Sequence, residues 1–270
     1  MFLTDRSHLP DTVTSYDVWK TLAVLLMIID HIGAYFLPDE QGLRILGRLC
    51  VPIWFFLVGY AQSRDLSWRL WAGVAILSIS NYIGGQPIFP LTILATIIFI
   101  RLILDRFMVM SMRSPKDMFM ACGVILLLFL PSNALLEYGT SGLAFAVIGY
   151  LARQKDTLQI SKESASMLLF AAVAFFVVAQ AYGFGFAYIP SLVVFMGSCV
   201  YLAMLYFTFG FEKTSASNLL NISGVRQFLQ ICGRYTLEIY VLHLAIFKIM
   251  ATAFGPLELY WFEFRLFVGS

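Results

Sequence analysis

Apolar residues run along this chain in blocks of about the length that crosses a bilayer, separated by short polar or Gly- and Pro-bearing connections. With a span of about 20 residues as the template, the blocks predict about nine membrane-crossing helices (eight to ten). They fall roughly at 16–37, 44–62, 68–84, 87–105, 118–132, 134–152, 165–182, 188–210 and 230–251. The fifth block is short, and Pro131 with Asn133 separates it from the sixth. At this span length only helices satisfy their own backbone in lipid. The expected fold class is therefore an all-α membrane protein built as a single polytopic helical bundle. Residues 1–15 read as a polar tail and 16–251 as the transmembrane domain. The last stretch, 252–270, is aromatic but carries Glu258, Glu263 and Arg265, which suits an interfacial amphipathic helix or a short tenth crossing.

Charge adds an orientation. Lys and Arg gather in every second connection: Arg64 and Arg69; Arg101, Arg106, Arg113 and Lys116; Arg153, Lys155 and Lys162; Lys213, Arg226 and Arg234. The intervening connections 84–90, 131–133 and 183–188 carry none. The excess of positive charge on cytoplasmic loops then puts the N-terminus and the basic loops in the cytoplasm. No small-residue cleavage site follows the first apolar block, so it is expected to stay as an anchor, with His8 solvated in the tail ahead of it. The chain is expected to cross its membrane many times.

Composition agrees with that reading. The chain is 60% apolar, against about 45–50% for soluble domains, and its mean hydropathy is +0.82. A net charge of +2 without a basic run gives no reason to expect a nucleic-acid partner. Cys50, Cys122, Cys199 and Cys232 lie in or beside apolar blocks and form no CxxC pair, so they read as small buried hydrophobes. No ligand spacing points to a metal. Gly33, Gly47, Gly59 and Gly73 read as points of close helix approach.

Against this background the polar residues inside spans stand out. An ionisable side chain at mid-bilayer costs about 2.5–3.5 kcal/mol on insertion scales, and its default reading is functional. The first block, YDVWKTLAVLLMIIDHIGAY, holds Asp17, Lys20, Asp30 and His31. At about 100° and 1.5 Å per residue, Lys20 and His31 share a face about 16 Å apart. Asp17, Lys20, Val24, Met27, His31 and Tyr35 make one stripe. Arg48 in the second block and His243 in the ninth fall at the depth of Asp30 and His31, so the four can converge in one layer. Plainer readings stand beside this one. Asp30 and Arg48 can be a structural ion pair, His243 a satisfied core histidine, and Arg234 with Glu238 a local i, i+4 pair. A neutral imidazole in a low-dielectric site suits His31 to general-base work.

The series Asp17, Lys20, His31 resembles the opening helix of the type-three membrane acyltransferases, with Lys where that family commonly has Arg. VPIWFFLVGYAQSR in the second block resembles an apolar segment of the same family, with Val58-Gly59 in place of Ser-Gly. Tyr240 and His243 match its late Tyr-x-x-His. A closer resemblance is to the TraX-like family, the pilin N-acetylases of conjugation systems. It is carried by Lys20, by Asp30-His31-Ile32-Gly33, and by Gly47-Arg48 with Pro52. Residues 85 to 225 match in hydropathy alone.

The resemblance implies acyl transfer across the membrane from acyl-CoA, most simply acetyl-CoA, entering from the cytoplasm. The acceptor would be a pilin N-terminal amine or, next, an envelope glycan hydroxyl. Lys20, Arg64 and Arg69, with Asp17 beside them, would hold the cofactor end. His31 would be the general base, Arg48 the oxyanion partner, and Asp30, Tyr240 and His243 would complete the catalytic layer. A proton-coupled transporter or flippase using Asp30, His31 and His243 is the alternative, although no internal repeat of the kind such carriers show is visible. A purely structural role in a pilus or secretion assembly is a third.

Overall fold

The computed structural model describes residues 12–158, 161–185, 187–209, 223–256 and 259–267. Thirteen helices follow in order: α1 (Ser15–Tyr35), α2 (Gln41–Arg48), α3 (Cys50–Tyr60), α4 (Trp68–Ile83), α5 (Ile93–Ser111), α6 (Pro115–Leu127), α7 (Phe129–Leu135), α8 (Gly139–Arg153), α9 (Lys155–Leu158), α10 (Lys162–Phe184), α11 (Tyr188–Thr208), α12 (Ser223–Arg234) and α13 (Thr236–Phe254). Among the described residues there is no strand; Leu91 and Leu136 form an isolated bridge. The all-α expectation holds.

The expectation of nine crossings does not carry over. Five described helices are long and apolar enough to span, and six if the bent pair α6–α7 is one broken span. The shortfall has physical causes. Helices α4 and α8 have 16 and 15 residues, shorter than the span template. Helix α5 is long, but Arg101, Asp105 and Arg106 interrupt its apolar run. The fifth block bends by 51° between α6 and α7 instead of crossing straight. The second block still passes as one span, Gln41–Tyr60, although Pro52 lacks the N–H that would bond the Arg48 carbonyl and the helix divides into α2 and α3.

Helix α1 packs against α2, α3, α12 and α13, α13 packs on α4, and α4 on α5. Helix α8 is the hub of the other half, touching α3, α5, α6, α7, α10 and α11. The α3–α8 crossing is the tightest. A Cβ on Gly59 would overlap the Ala146 carbonyl, and one on Gly149 would overlap the Phe56 carbonyl, the close backbone approach that small residues permit in membranes. Phe55, Phe56, Phe145 and Phe176 are fully buried around it. Large apolar side chains such as Leu102, Val109, Phe119, Leu127, Met167 and Val178 face outward, as a lipid-facing surface requires.

The described end of the chain, 259–267, is neither an interfacial helix nor a tenth crossing. It runs back across the α4–α5 connection. Ile88 and Phe89 donate backbone N–H groups to the Arg265 and Leu266 carbonyls at 3.0 and 2.9 Å, and Phe262 donates to Ile83 at 3.1 Å. Phe262 has φ 60, which interrupts any helix, and its ring meets Tyr82 while Phe267 meets Phe89. His8, Lys213 and Glu258 lie outside the described residues.

Candidate active site

Two short motifs face each other where α1 meets α2. A Cβ on Gly47 would overlap Asp30, and one on Gly33 would lie 2.9 Å from Leu43 Cβ. Glycine at these places lets α2 lie directly on the last turns of α1. That contact delivers two guanidinium groups to one carboxylate. Asp30 Oδ2 is 2.9 Å from Arg44 Nη1 and 3.1 Å from Arg48 Nη2. Arg44 Nη1 also donates to the Asp30 carbonyl at 3.0 Å, and Arg48 Nη1 donates to the Tyr138 hydroxyl at 2.6 Å. Asp30 and Arg48 are 5% and 3% exposed, so charge neutralisation here is obligatory. Tyr138 sits at the N-cap of α8 with φ 67, a left-handed conformation rare for an aromatic residue. The Phe55 and Phe176 rings hold it there. Two of its nitrogens are committed to Asp30 and Tyr138, so Arg48 joins α2 to α1 and to the start of α8.

The neighbouring residue points elsewhere. His31 Nδ1 lies 2.8 Å from His243 Nε2, and His243 Nδ1 lies 2.6 Å from the Ile239 carbonyl. The chemistry of the partners fixes the protons. A carbonyl only accepts, so His243 Nδ1 carries hydrogen, and in a neutral ring its Nε2 must accept. His31 Nδ1 is then the donor, and His31 Nε2 holds the lone pair. The ring centroids are 5.1 Å apart with planes at 29°, the separation that nitrogens meeting edge to edge give. Tyr240, 5% exposed, stands beside both rings, 6.3 Å from His31 and 6.0 Å from His243.

His31 lines a cavity of about 280 Å³ together with Asp30, Arg44, Arg48, Glu137 and Lys248. A second cavity of about 220 Å³ runs along the same helix from Tyr16 and Lys20 past Met27 to Tyr240. Arg101 lies with Lys20 among its lining residues, and Trp54, Leu57, Ile97 and Leu237 form its apolar wall. Trp54 Nε1 is buried without a hydrogen-bond partner among the described residues. The stripe of α1 thus opens onto two cavities rather than one continuous shaft, with Tyr240 between the second cavity and the His31 ring.

The structure brings Asp30, His31, Arg48, Tyr240 and His243 into one layer, and it puts Lys20 on the second cavity. Three residues expected at the cofactor end are not among that cavity's lining. Asp17 closes a capping box with Thr14 at 2.9 Å, starting α1, and lies 3.6 Å from Arg234. Arg64 donates to the carbonyls of Val58, Ala61 and Gly59 at 2.8, 2.8 and 3.1 Å, capping α3, and pairs with Asp105 at 3.1 Å. Arg69 pairs with Glu238 across α4 and α13. Glu238 and Arg234 thus each have a partner on another helix. Arg44, Trp54, Glu137, Tyr138 and Lys248 are site residues that spacing alone did not single out.

The profile described as TraX protein matches residues 15–251. Over 150 residues the chain is 33% identical to an uncharacterised protein of Rickettsia prowazekii, covering 53% of this chain and 58% of that one. Over 77 residues it is 30% identical to the protein TraX of Escherichia coli, covering 26% of this chain and 31% of that one. These matches therefore span less than two thirds of either relative. No solved structure matches. The profile takes in both motifs of the Asp30–Arg48 contact and the histidine of α13, and the chain is a multi-pass membrane protein that belongs to the TraX family.

Proposed function

We propose that this protein is a membrane-embedded acetyltransferase that moves an acetyl group from acetyl-CoA to an acceptor at the far side of a bacterial inner membrane. The observation that carries this reading is the His31–His243 pair, which leaves a base nitrogen on one cavity at the end of a stripe that opens onto another. Acetyl-CoA would enter at the Lys20 and Arg101 end, where the two cations meet its phosphates. Lys20 binds phosphate as a point charge, without the fork of an arginine. The pantetheine arm would follow the apolar wall, and Trp54 Nε1 offers an N–H to one of its amide carbonyls. Tyr240, which lines this cavity beside His31, would donate its hydroxyl to the thioester carbonyl, and a donor at a developing oxyanion lowers the barrier by about 2.7–4 kcal/mol.

The chemistry balances with these groups alone. His31 Nε2 takes the proton from the acceptor's N–H or O–H as the nucleophile attacks the thioester carbon. The C–S bond breaks, and the CoA thiolate leaves and is protonated by the His31 imidazolium. His243 accepts the hydrogen bond from His31 Nδ1 throughout, which stabilises the charged ring. For the acceptor we favour a pilin N-terminal amine, as family membership suggests, with an envelope glycan hydroxyl next.

Two cavities with separate linings along α1 also suit a proton-coupled carrier that uses Asp30, His31 and His243. Equilibrium binding of labelled acetyl-CoA to the purified protein in nanodiscs separates the two. The acetyltransferase binds it, loses affinity in Lys20→Glu and keeps it in His31→Ala. Absence of binding to the parent protein overturns the proposal, since a carrier has no reason to recognise CoA.

A further inference from the structure

The cavity on which His31 opens holds unmet hydrogen-bonding capacity on two sides. Asp30 Oδ1, Gln86 Nε2 and Thr92 Oγ1 all belong to residues that line it, and none has a partner among the described residues. Their residues are 5%, 8% and 6% exposed. They come from α1, the α4–α5 connection and the N-cap of α5, so no single local turn accounts for them.

Lys248 lines the same cavity from α13 at 4% exposure. Its Nζ donates to Asn81 Oδ1, and an ammonium has three N–H donors. Asn81 ties this corner together, since its Nδ2 donates to the Pro87 carbonyl and its own carbonyl accepts from the Gln86 N–H, both at 2.8 Å. The carboxylates are engaged elsewhere. Asp30 Oδ2 faces Arg44 and Arg48, and Glu137 Oε2 accepts from the Ile93 N–H at 2.9 Å. Among the described residues Lys248 forms no ion pair. The lining therefore sets three cations, Arg44, Arg48 and Lys248, against two carboxylates, Asp30 and Glu137, which leaves the cavity with a net positive charge. A buried ammonium that makes no direct ion pair is costly to keep.

We propose that Lys248, Gln86 and Thr92 form an anion subsite, and that the acceptor carries a carboxylate or phosphate beside the nucleophile it presents to His31. This rests on the acetyltransferase reading and names the acceptor's chemical class. The anionic group accepts from Lys248 Nζ, Gln86 Nε2 and the Thr92 hydroxyl. At the other side, Asp30 Oδ1 accepts from an N–H or O–H near the nucleophile.

The test is thermal unfolding of the full-length protein, which does not depend on acetyl-CoA turnover. In detergent, inorganic phosphate or acetate replaces chloride at matched ionic strength. In a parallel arm, nanodiscs of phosphatidylglycerol are compared with phosphatidylcholine. A ligand that binds the folded state raises the midpoint, here by about 2–4 °C for about 1 kcal/mol of linkage. The expected result is a rise with phosphate or acetate that is lost in Lys248→Gln and in Gln86→Glu but kept in Lys20→Gln, which excludes the cofactor end as its source. A rise confined to phosphatidylglycerol and lost in the same two variants also supports the subsite and assigns the anion to a lipid headgroup. No rise with any probe, or an equal rise in the parent and both variants, overturns it. Acetyl-CoA binding with no anion response sinks the subsite alone, and an anion response without acetyl-CoA binding sinks the acetyltransferase reading alone.

Discussion

Replacing His243 with alanine is expected to lower kcat for acetyl transfer by about 5- to 13-fold while leaving KM for acetyl-CoA unchanged. In the resting protein His31 Nδ1 donates to His243 Nε2 at 2.8 Å, and that bond holds the Nε2 lone pair in place. When His31 takes the acceptor's proton, the same contact becomes a bond from a charged donor. Such bonds contribute about 1.5–3 kcal/mol, against about 0.5–1.5 for a neutral pair. The stabilisation is larger after proton transfer than before, so its loss raises the barrier and appears in kcat. His243 is not among the lining residues of the Lys20 cavity, which is why donor binding should not change. The assay is labelled acetyl transfer in proteoliposomes under saturating acetyl-CoA, with His243→Gln in parallel. A glutamine oxygen can accept from His31 Nδ1 and should recover part of the loss. Full activity in His243→Ala, or a loss that appears only in KM, refutes the relay.

Three other outcomes are expected. Arg48→Met leaves buried Asp30 with Arg44 alone and the Tyr138 hydroxyl without its donor, and it should cost about 1.5–3 kcal/mol of stability, read as a lowered midpoint in detergent. Trp54→Phe keeps the apolar wall but removes one donor, so KM for acetyl-CoA should rise about 2- to 12-fold at constant kcat. Gly47→Ala forces α2 off Asp30, and it should cost about 1–3 kcal/mol by overpacking and lower activity together with stability.

How far the sequence could be read depended on whether a residue's role is set along its own helix or by a partner. Helical spacing alone put Lys20 and His31 on one face, and depth counting brought Asp30, Arg48 and His243 to the same level, as the structure has them. The four glycines read as helix contacts each meet another residue closely. The division of the stripe into two cavities was not legible, because it depends on where the Tyr240 ring from α13 falls. Arg64 and Arg69 looked like phosphate ligands because a positive charge at a span end has the same sequence signature whether it faces a ligand, a helix C-terminus or a glutamate. Lys248, Glu137 and Gln86 lie far apart in sequence and carry no spacing rule, so only the fold joins them. Nine spans were counted because mean hydropathy does not separate a helix buried among other helices, such as the short α8, from one crossing lipid.

The most direct test of the central claim is single-turnover transfer of labelled acetyl from acetyl-CoA to endogenous acceptors in inverted inner-membrane vesicles, comparing the parent protein with His31→Ala. The account predicts equal donor binding and a transfer rate lowered by about 10²- to 10⁴-fold, the usual contribution of a positioned base. Transfer by His31→Ala at the parental rate would contradict it.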